Sequence, residues 1–418
     1  MAQFEVEGAH KLFGKIKVAG NKNSVLPIMA ACLLTEETCT LENVPQISDV
    51  SVMAQLLERC GAKVSKIGKS TITICAKNVK AIEFPSVLTQ KLRASILLLG
   101  PMLARVGEVR MGYPGGDIIG RRSLNSHLQI VQALGAKIDM DNDMLTAKAT
   151  KINGAEIFLE EASVTATENA LMIASRANGE TVIKRAASEP HVVDLCQFLI
   201  KMGVKISGIG SNVLRITPQD KLFGANHIIR PDNIEVGTFA VLAAVTSSKI
   251  EISPILKEDL DMILLILSRF GVKMKIEDDF LTVLPGNLNA VEKVVTDVWP
   301  GFPTDLMPPM IVLATQAQGV TILHDWMYES RMFFVDKLLS MGAKVEIADP
   351  HRVLVYGPTK LYGQRLDTPD IRAGIALVIA AISAKGKSII EKSELIERGY
   401  ENIVERLAAL GVKIKKVS

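Results

Sequence analysis

Apolar and polar positions along the chain fall into one phrase that is repeated six times. An amphipathic helical stretch runs into Gly, then Ala or Val, then Lys, then alternating apolar residues. The copies are Cys60-Gly61-Ala62-Lys63-Val64, Leu134-Gly135-Ala136-Lys137-Ile138, Met202-Gly203-Val204-Lys205-Ile206, Phe270-Gly271-Val272-Lys273-Met274, Met341-Gly342-Ala343-Lys344-Val345 and Leu410-Gly411-Val412-Lys413-Ile414. Successive glycines lie 74, 68, 68, 71 and 69 residues apart, so the repeat accounts for the whole chain. Helices such as Val50 to Cys60 and Ile403 to Leu410 end where Gly adopts the left-handed cap conformation. A strand with period-two patterning follows. One helix-Gly-strand phrase would carry little, but six in near-constant register mark a repeated supersecondary unit.

Each unit holds a second helix that is apolar on most faces, which predicts burial. These helices are Val25 to Cys32, Ala94 to Ala104, Ala170 to Arg176, Thr238 to Val245, Met310 to Thr315 and Ala373 to Ile382. Each runs into a strand: Cys39 to Val44, Glu108 to Met111, Thr181 to Arg185, Lys249 to Ile252, Gly319 to His324 and Lys387 to Glu391. The fold class predicted is α/β, with helices inside, sheets outside and three units per domain. The domains are expected at 22–230, carrying a glycine-rich lid, and at 1–21 plus 231–418, with a boundary near Arg230-Pro231-Asp232. The opening strands, Phe4 to Val6 and Gly14 to Val18, are expected to complete the far domain. Two chain crossings between equal lobes suggest a cleft that closes on a small ligand.

Composition narrows the function. The chain has 418 residues, of which 48% are hydrophobic and 22% charged, so it is globular rather than disordered. Aromatics are only 5%, which leaves aliphatic residues to fill the core. A net charge of +3 argues against nucleic acid or a membrane surface as partner. No secretory signal precedes the first strand, and no apolar run approaches a membrane span, so a cytoplasmic location is expected. Cys32, Cys39, Cys60, Cys75 and Cys196 form no CxxC pair and read as reduced, mostly buried thiols. The six histidines form no ligand motif, and neither a metal nor a cofactor is expected.

Candidate chemistry gathers at the starts of the buried helices: Lys22-Asn23, Arg93, Glu168-Asn169, Asp232 to Glu235, Asp305, and Asp370 with Arg372. Helix N-termini carry unsatisfied N–H groups and a positive dipole end, so they favour anions. Asp and Asn at such positions also serve as ordinary caps. Six similar starts together favour a site.

The chain resembles the enolpyruvyl transferase superfamily along its full length, and within it the UDP-N-acetylglucosamine enolpyruvyl transferases. The residues that carry the likeness are Val18 to Pro27, Leu92-Arg93-Ala94-Ser95, the loop Pro114 to Gly120, Ala166-Thr167-Glu168-Asn169, Glu189-Pro190, Phe302-Pro303-Thr304-Asp305 and Arg398-Gly399-Tyr400. The family fold is an inside-out α/β barrel of two domains, each with three inverse βαβαββ units. The resemblance implies two small-molecule substrates, phosphoenolpyruvate and UDP-N-acetylglucosamine, and a role in peptidoglycan synthesis and cell division. Lys22, Asn23, Arg122, Arg331, Arg372 and Arg398 would bind phosphoenolpyruvate. Arg93, Arg122, Ser123, Leu124, Asn125, Ser126, Ser163, Val164, Asp305 and Met327 would bind the sugar nucleotide. Lys22, Asp117, Asp305 and Arg398 would carry catalysis, with Asp305 taking the proton of the sugar hydroxyl.

Asp117, a stretch at 122–127, Glu161 and Asn233 depart from the common family pattern. Asp117 stands where many members have Cys. It can donate a proton at neutral pH only if its pKa is raised, because an ordinary Asp titrates near 3.9 and a thiol near 8.5. The same change predicts insensitivity to the thiol-alkylating epoxide fosfomycin. Arg122-Ser123-Leu124-Asn125-Ser126-His127 replaces an Arg-Pro-x-Asp-Leu-His stretch, removing a rigid Pro beneath the nucleobase. Asn125 can still accept from a uracil N–H, though more weakly than a carboxylate. Glu161 replaces a frequent Lys, and Asn233 a frequent Arg. These changes leave open another acceptor, such as shikimate 3-phosphate, and a non-catalytic sugar-nucleotide sensor.

Overall fold

All six repeat glycines take positive φ: 101° at Gly61, 93° at Gly135, 107° at Gly203, 81° at Gly271, 96° at Gly342 and 95° at Gly411. Only glycine reaches this region at little cost, so each outer helix stops there and the chain turns into its strand. The molecule is described by a computed structural model covering residues 2–117, 119–120, 122–141 and 143–417. Ile118, part of the expected lid, lies outside the described residues.

The described residues form six four-stranded sheets, all built alike. In the first repeat, Asn226–Ile228 pairs in parallel with Thr38–Glu42. Thr38–Glu42 then pairs antiparallel with Thr71–Cys75, which pairs antiparallel with Lys63–Ile67. Every other sheet repeats one parallel and two antiparallel pairings. The last repeat ends with its Lys strand, Lys413–Val417, and Gln3–Glu7 takes the place of the strand that would follow, between Lys387–Glu391 and Lys413–Val417. Phe13–Lys17 pairs in parallel with Lys249–Ser253. Phe4 and Val6 alternate inward and are fully buried, which sets the register of that opening strand.

The inner helices behave as their all-round apolarity requires. Helix Asn233–Val245 is buried from Asn233 to Ala244, and helix Ile371–Ser383 from Ile371 to Ile382. The inner helix of the second repeat opens with a 3-10 segment, Arg93–Leu98, before the α-helix Leu99–Val106. No helix among the described residues is long and apolar enough to cross a membrane. The five cysteines are free thiols, with Cys75 half-buried and the others buried.

Two compact units result, each with its own hydrophobic core. The N-terminal unit comprises Gly20–Gly116 and Arg122–Arg230; the C-terminal unit comprises Met1–Ala19, Asp117–Arg121 and Pro231–Ser418. The sequence reading kept the whole glycine-rich loop in 22–230, whereas residues 117–121 group with the C-terminal unit. Hydrogen bonds account for this: Arg398 Nη1 donates to Asp117 Oδ1, and Ser330 N–H donates to the Ile119 carbonyl.

Candidate active site

In the C-terminal unit, Asp305 lies in the 3-10 turn Thr304–Leu306, just ahead of inner helix Met307–Gln316. Arg331 Nη2 donates to its Oδ1 at 3.1 Å, and Arg372 Nε donates to its Oδ2 at 2.9 Å. The two arginine side chains are 2% and 6% exposed, while Asp305 is 27% exposed, so the carboxylate reaches solvent and the cations do not. Arg331 Nε and Arg372 Nη1 are buried donors without an acceptor among the described residues. Leaving such a donor unmet costs about 1–3 kcal/mol, which marks a place where an acceptor belongs.

Carboxylates surround these arginines. Asp370 caps helix Ile371–Ser383 through the N–H groups of Arg372 and Ala373, and lies 4.0 Å from Arg331 Nη1. Burial pushes its pKa up. Asp232 caps helix Asn233–Val245, and burial pushes it up to about 6 against the pull of Arg372. Burial opposes the Arg372 charge, yet Tyr400, Asp305 and Asp232 hold that guanidinium protonated well above the ordinary arginine range. Arg372 also lies over the Tyr400 ring at 5.3 Å, and Tyr400 is pushed up to about 12 by burial. Arg398 and Asp117 form a separate pair at 2.7 Å, with both side chains partly exposed.

In the N-terminal unit, Lys22 is the first residue of helix Lys22–Ala31, capped by Asn21 Oδ1 through the N–H groups of Asn23 and Ser24. Lys22 Nζ lies 2.7 Å from Asp49 Oδ2, which is almost fully buried. Asn23 is half-buried beside it. Arg93 Nη2 donates to the carbonyls of Arg122 and Ser123 at 3.1 and 3.3 Å, tying the start of its helix to the segment 122–126. Close approach explains the Gly-Gly pair in the loop. A Cβ at Gly115 would lie 1.8 Å from the Gln90 carbonyl oxygen, and one at Gly116, with φ of 104°, 2.8 Å from Arg93 Cβ.

The remaining predicted residues gather around a neutral network. Ser123 Oγ accepts from the Asn125 N–H at 3.0 Å, Leu124 precedes helix Asn125–Ala133, and Ser126 Oγ lies 3.5 Å from Glu161 Oε1. Ser163 and Val164 start inner helix Val164–Ala174. Asn169 joins the two helices. Its Oδ1 accepts from Gly100 N–H at 2.7 Å, so its amide nitrogen donates to the Ile96 carbonyl and to His127 Nδ1, each at 3.0 Å. His127 therefore carries its proton on Nε2 and donates to Thr165 Oγ1 at 3.0 Å. Burial, with a smaller push from Arg93, lowers His127 to about 3 and keeps it neutral.

Met327 stands elsewhere, in the C-terminal unit, with its N–H on Asp325 Oδ1 at 3.0 Å. Asn233 is buried, with its amide near the Asp259 carbonyl, rather than presenting a side chain to solvent. The sequence reading did not single out Asp49 or Asp325. A lone Asp in the first turn of the outer helix Ser48–Arg59 looks like any helix-end acid, and Asp325 follows a strand without a motif. Their burial is the signal, and burial is not written locally.

The chain matches the family model described as EPSP synthase (3-phosphoshikimate 1-carboxyvinyltransferase) over residues 6–407. It is 46% identical over 423 residues to the UDP-N-acetylglucosamine 1-carboxyvinyltransferase of Treponema denticola, covering 99% of each chain. The protein of that name from Bradyrhizobium diazoefficiens is 48% identical, with 99% of this chain and 98% of the relative covered. Among solved structures, the enolpyruvyl transferase NikO from Streptomyces tendae superposes with a TM-score of 0.91 at 23% identity, over 100% of this chain and 99% of the other. EPSP synthase from Acinetobacter baumannii superposes with a TM-score of 0.77 at 18% identity, over the whole of both chains. These two establish the shared fold.

Proposed function

The chain belongs to the EPSP synthase family, in the branch of the UDP-N-acetylglucosamine 1-carboxyvinyltransferases, and on that footing we propose that it transfers the enolpyruvyl group of phosphoenolpyruvate to the 3-hydroxyl of UDP-N-acetylglucosamine. The sugar oxygen bonds to C2 of phosphoenolpyruvate while its proton goes to a base and C3 gains a proton. The resulting tetrahedral phospholactoyl ketal loses a proton from C3, the C2–O bond to phosphate breaks, and inorganic phosphate leaves. No redox step is involved.

The observation that carries this reading is Asp305, partly exposed and held at both oxygens by buried guanidinium groups that keep further N–H donors unspent. An acceptor-only carboxylate beside cations is suited to take a hydroxyl proton while those cations receive substrate anions. Arg331, Arg372 and Arg398 in the C-terminal unit, and Lys22, Asn23 and Arg122 in the N-terminal unit, are assigned to phosphoenolpyruvate. Arg93, Arg122, Ser123, Leu124, Asn125, Ser126, Ser163, Val164, Asp305 and Met327 are assigned to the sugar nucleotide. Asp117 is assigned the proton exchanged at C3. It accepts from Arg398, and transfer of Arg398 to a substrate anion would release it for that exchange. In the cell the reaction would serve peptidoglycan synthesis in the cytoplasm.

Phosphate release tests the reading. Protein with phosphoenolpyruvate and UDP-N-acetylglucosamine should liberate inorganic phosphate and yield an enolpyruvyl ether by mass spectrometry. Shikimate 3-phosphate in place of the sugar nucleotide should give none. Release with shikimate 3-phosphate alone, or with neither acceptor, would overturn it.

A further inference from the structure

Asp325 is fully buried, yet it faces no lysine or arginine at ion-pair distance among the described residues. Four neutral donors converge on its carboxylate instead. Oδ1 accepts from Thr296 Oγ1 at 3.1 Å and from the backbone N–H groups of Met327 at 3.0 Å and Tyr328 at 3.3 Å. Oδ2 accepts from Thr304 Oγ1. The backbone of Asp325 is held as well: its N–H donates to the His351 carbonyl at 2.8 Å, and its carbonyl contacts His351 Nδ1 at 2.7 Å. Burying a carboxylate is costly unless its lone pairs are met, so such a group persists where its geometry matters.

Three of the four donors belong to segments that reach Asp305. Thr304 is its neighbour in the chain, and the N–H groups of Met327 and Tyr328 start the loop that ends at Arg331. Arg331 lies over the Tyr328 ring at 5.5 Å and donates to Asp305 Oδ1 at 3.1 Å. A closed ring results: Asp325 to Thr304, Thr304 to Asp305 along the chain, Asp305 to Arg331, Arg331 to Tyr328, and Tyr328 back to Asp325. We propose that Asp325, acting through Thr304 and the loop 327–331, is a positioning residue that holds Asp305 and Arg331 in the geometry needed for proton transfer. This rests on Asp305 being the proton acceptor of the enolpyruvyl transfer above. A displacement of about 1 Å at a reacting group can cost about a hundredfold in rate, so a brace at this point acts on turnover more than on binding.

Thr304→Val is the main test, because it removes one hydroxyl donor with little change of shape. The expected result is a fall in kcat of about tenfold or more, with KM for phosphoenolpyruvate within about twofold of wild type. Thr304→Ser keeps the donor and should restore kcat. In an Asp305→Asn background, Thr304→Val should lower kcat no further, because the residue through which it acts is already disabled. Asp325→Asn, which keeps one acceptor oxygen, should lie between Thr304→Ser and Thr304→Val. Unchanged kcat in Thr304→Val, or an equal fall in both backgrounds, overturns the proposal. A wild-type protein that releases no phosphate overturns the enolpyruvyl reading instead, so the two failures are distinguishable.

Discussion

The two units repeat one architecture, but their inner helices begin with opposite chemistry. In the C-terminal unit, Asp232 and Asp370 cap two of the helices, and Asp305 precedes the third. These negative charges occupy the positive helix ends, and Arg331 and Arg372 gather among them. In the N-terminal unit, the first helix is capped by neutral Asn21, and helix Val164–Ala174 has no side-chain cap on its N–H groups. Cations stand near those starts, with Lys22 in the first turn and Arg93 at the second. One backbone unit, copied six times, gathers acids or cations at its inner helix starts according to which residues stand at and beside the cap. The C-terminal unit sets carboxylates against guanidinium groups, whereas in the N-terminal unit Arg93 holds backbone carbonyls of segment 122–126 and His127 with Asn169 forms a neutral hydrogen-bond network.

The largest test of this contrast concerns Asp117. Fosfomycin should leave the wild type active, because a carboxylate is a poor target for an epoxide that alkylates thiols. Asp117→Cys should keep turnover and become fully inactivated by the compound, read as time-dependent loss of phosphate release. Asp117→Asn should lose roughly 10²–10⁴ in kcat, the usual worth of a positioned acid or base. Near-wild-type turnover in Asp117→Asn would return the residue to a plain partner of Arg398.

Asp305→Asn removes the acceptor at the centre of the C-terminal cluster and should also lower kcat by roughly 10²–10⁴. Circular dichroism should show an intact fold, since Asp305 is partly exposed and caps no helix. Next in size is Lys22→Ala, expected to cost more than about tenfold in kcat/KM for phosphoenolpyruvate, the loss of one charge-assisted contact at about 1.5–3 kcal/mol. That variant also removes the ion pair with the buried Asp49, so its thermal midpoint should fall too. A Lys22→Ala protein with a lowered midpoint and unchanged kcat/KM would make the lysine structural only.

The smallest effect is on stability, and it has opposite signs in the two units. His127 has a folded pKa of about 3, below its ordinary 6.5. As pH falls below 6.5 the unfolded chain takes up that proton first, so the N-terminal unit loses stability, by about 1.4 kcal/mol per pH unit at the steepest. Asp232 has a folded pKa of about 6, above its ordinary 3.8. Here the folded state holds the proton more tightly, so the contribution of Asp232 is complete below 3.8 and is lost as pH rises through 6. Trp299 and Trp326, the only tryptophans, both belong to the C-terminal unit, so their fluorescence in urea follows that unit, while amide exchange read by mass spectrometry follows the other. Asp232→Asn should flatten the pH dependence between 4 and 6 by fluorescence, and His127→Gln should flatten that of the N-terminal unit below 6.5. A variant that leaves its unit's pH slope unchanged would remove that group from the account.

The sequence alone determined the repeat, and with it most of the fold. Gly at a helix end, a Lys strand, and a helix apolar on all faces are local signals, because a positive φ needs glycine and an unbroken apolar surface needs burial. The two opening strands, Gln3–Glu7 and Phe13–Lys17, lie ahead of the first repeat in the sequence and pair with strands of the C-terminal unit. The charges at the helix starts, Lys22, Arg93, Asp305 and Arg372, were visible in the chain because they stand beside apolar helices. What only the tertiary structure decided is which charge meets which. Lys22 is paired with Asp49, and Asp305 is held by Arg331 and Arg372, from positions 26 and 67 residues further along. Asp325, with no distinguishing neighbour in sequence, gathers donors from three separate segments. Hydrogen bonds and ion pairs act over a few ångströms in space, and the separation of their partners along the chain is set by how the sheets stack rather than by any periodicity a sequence displays.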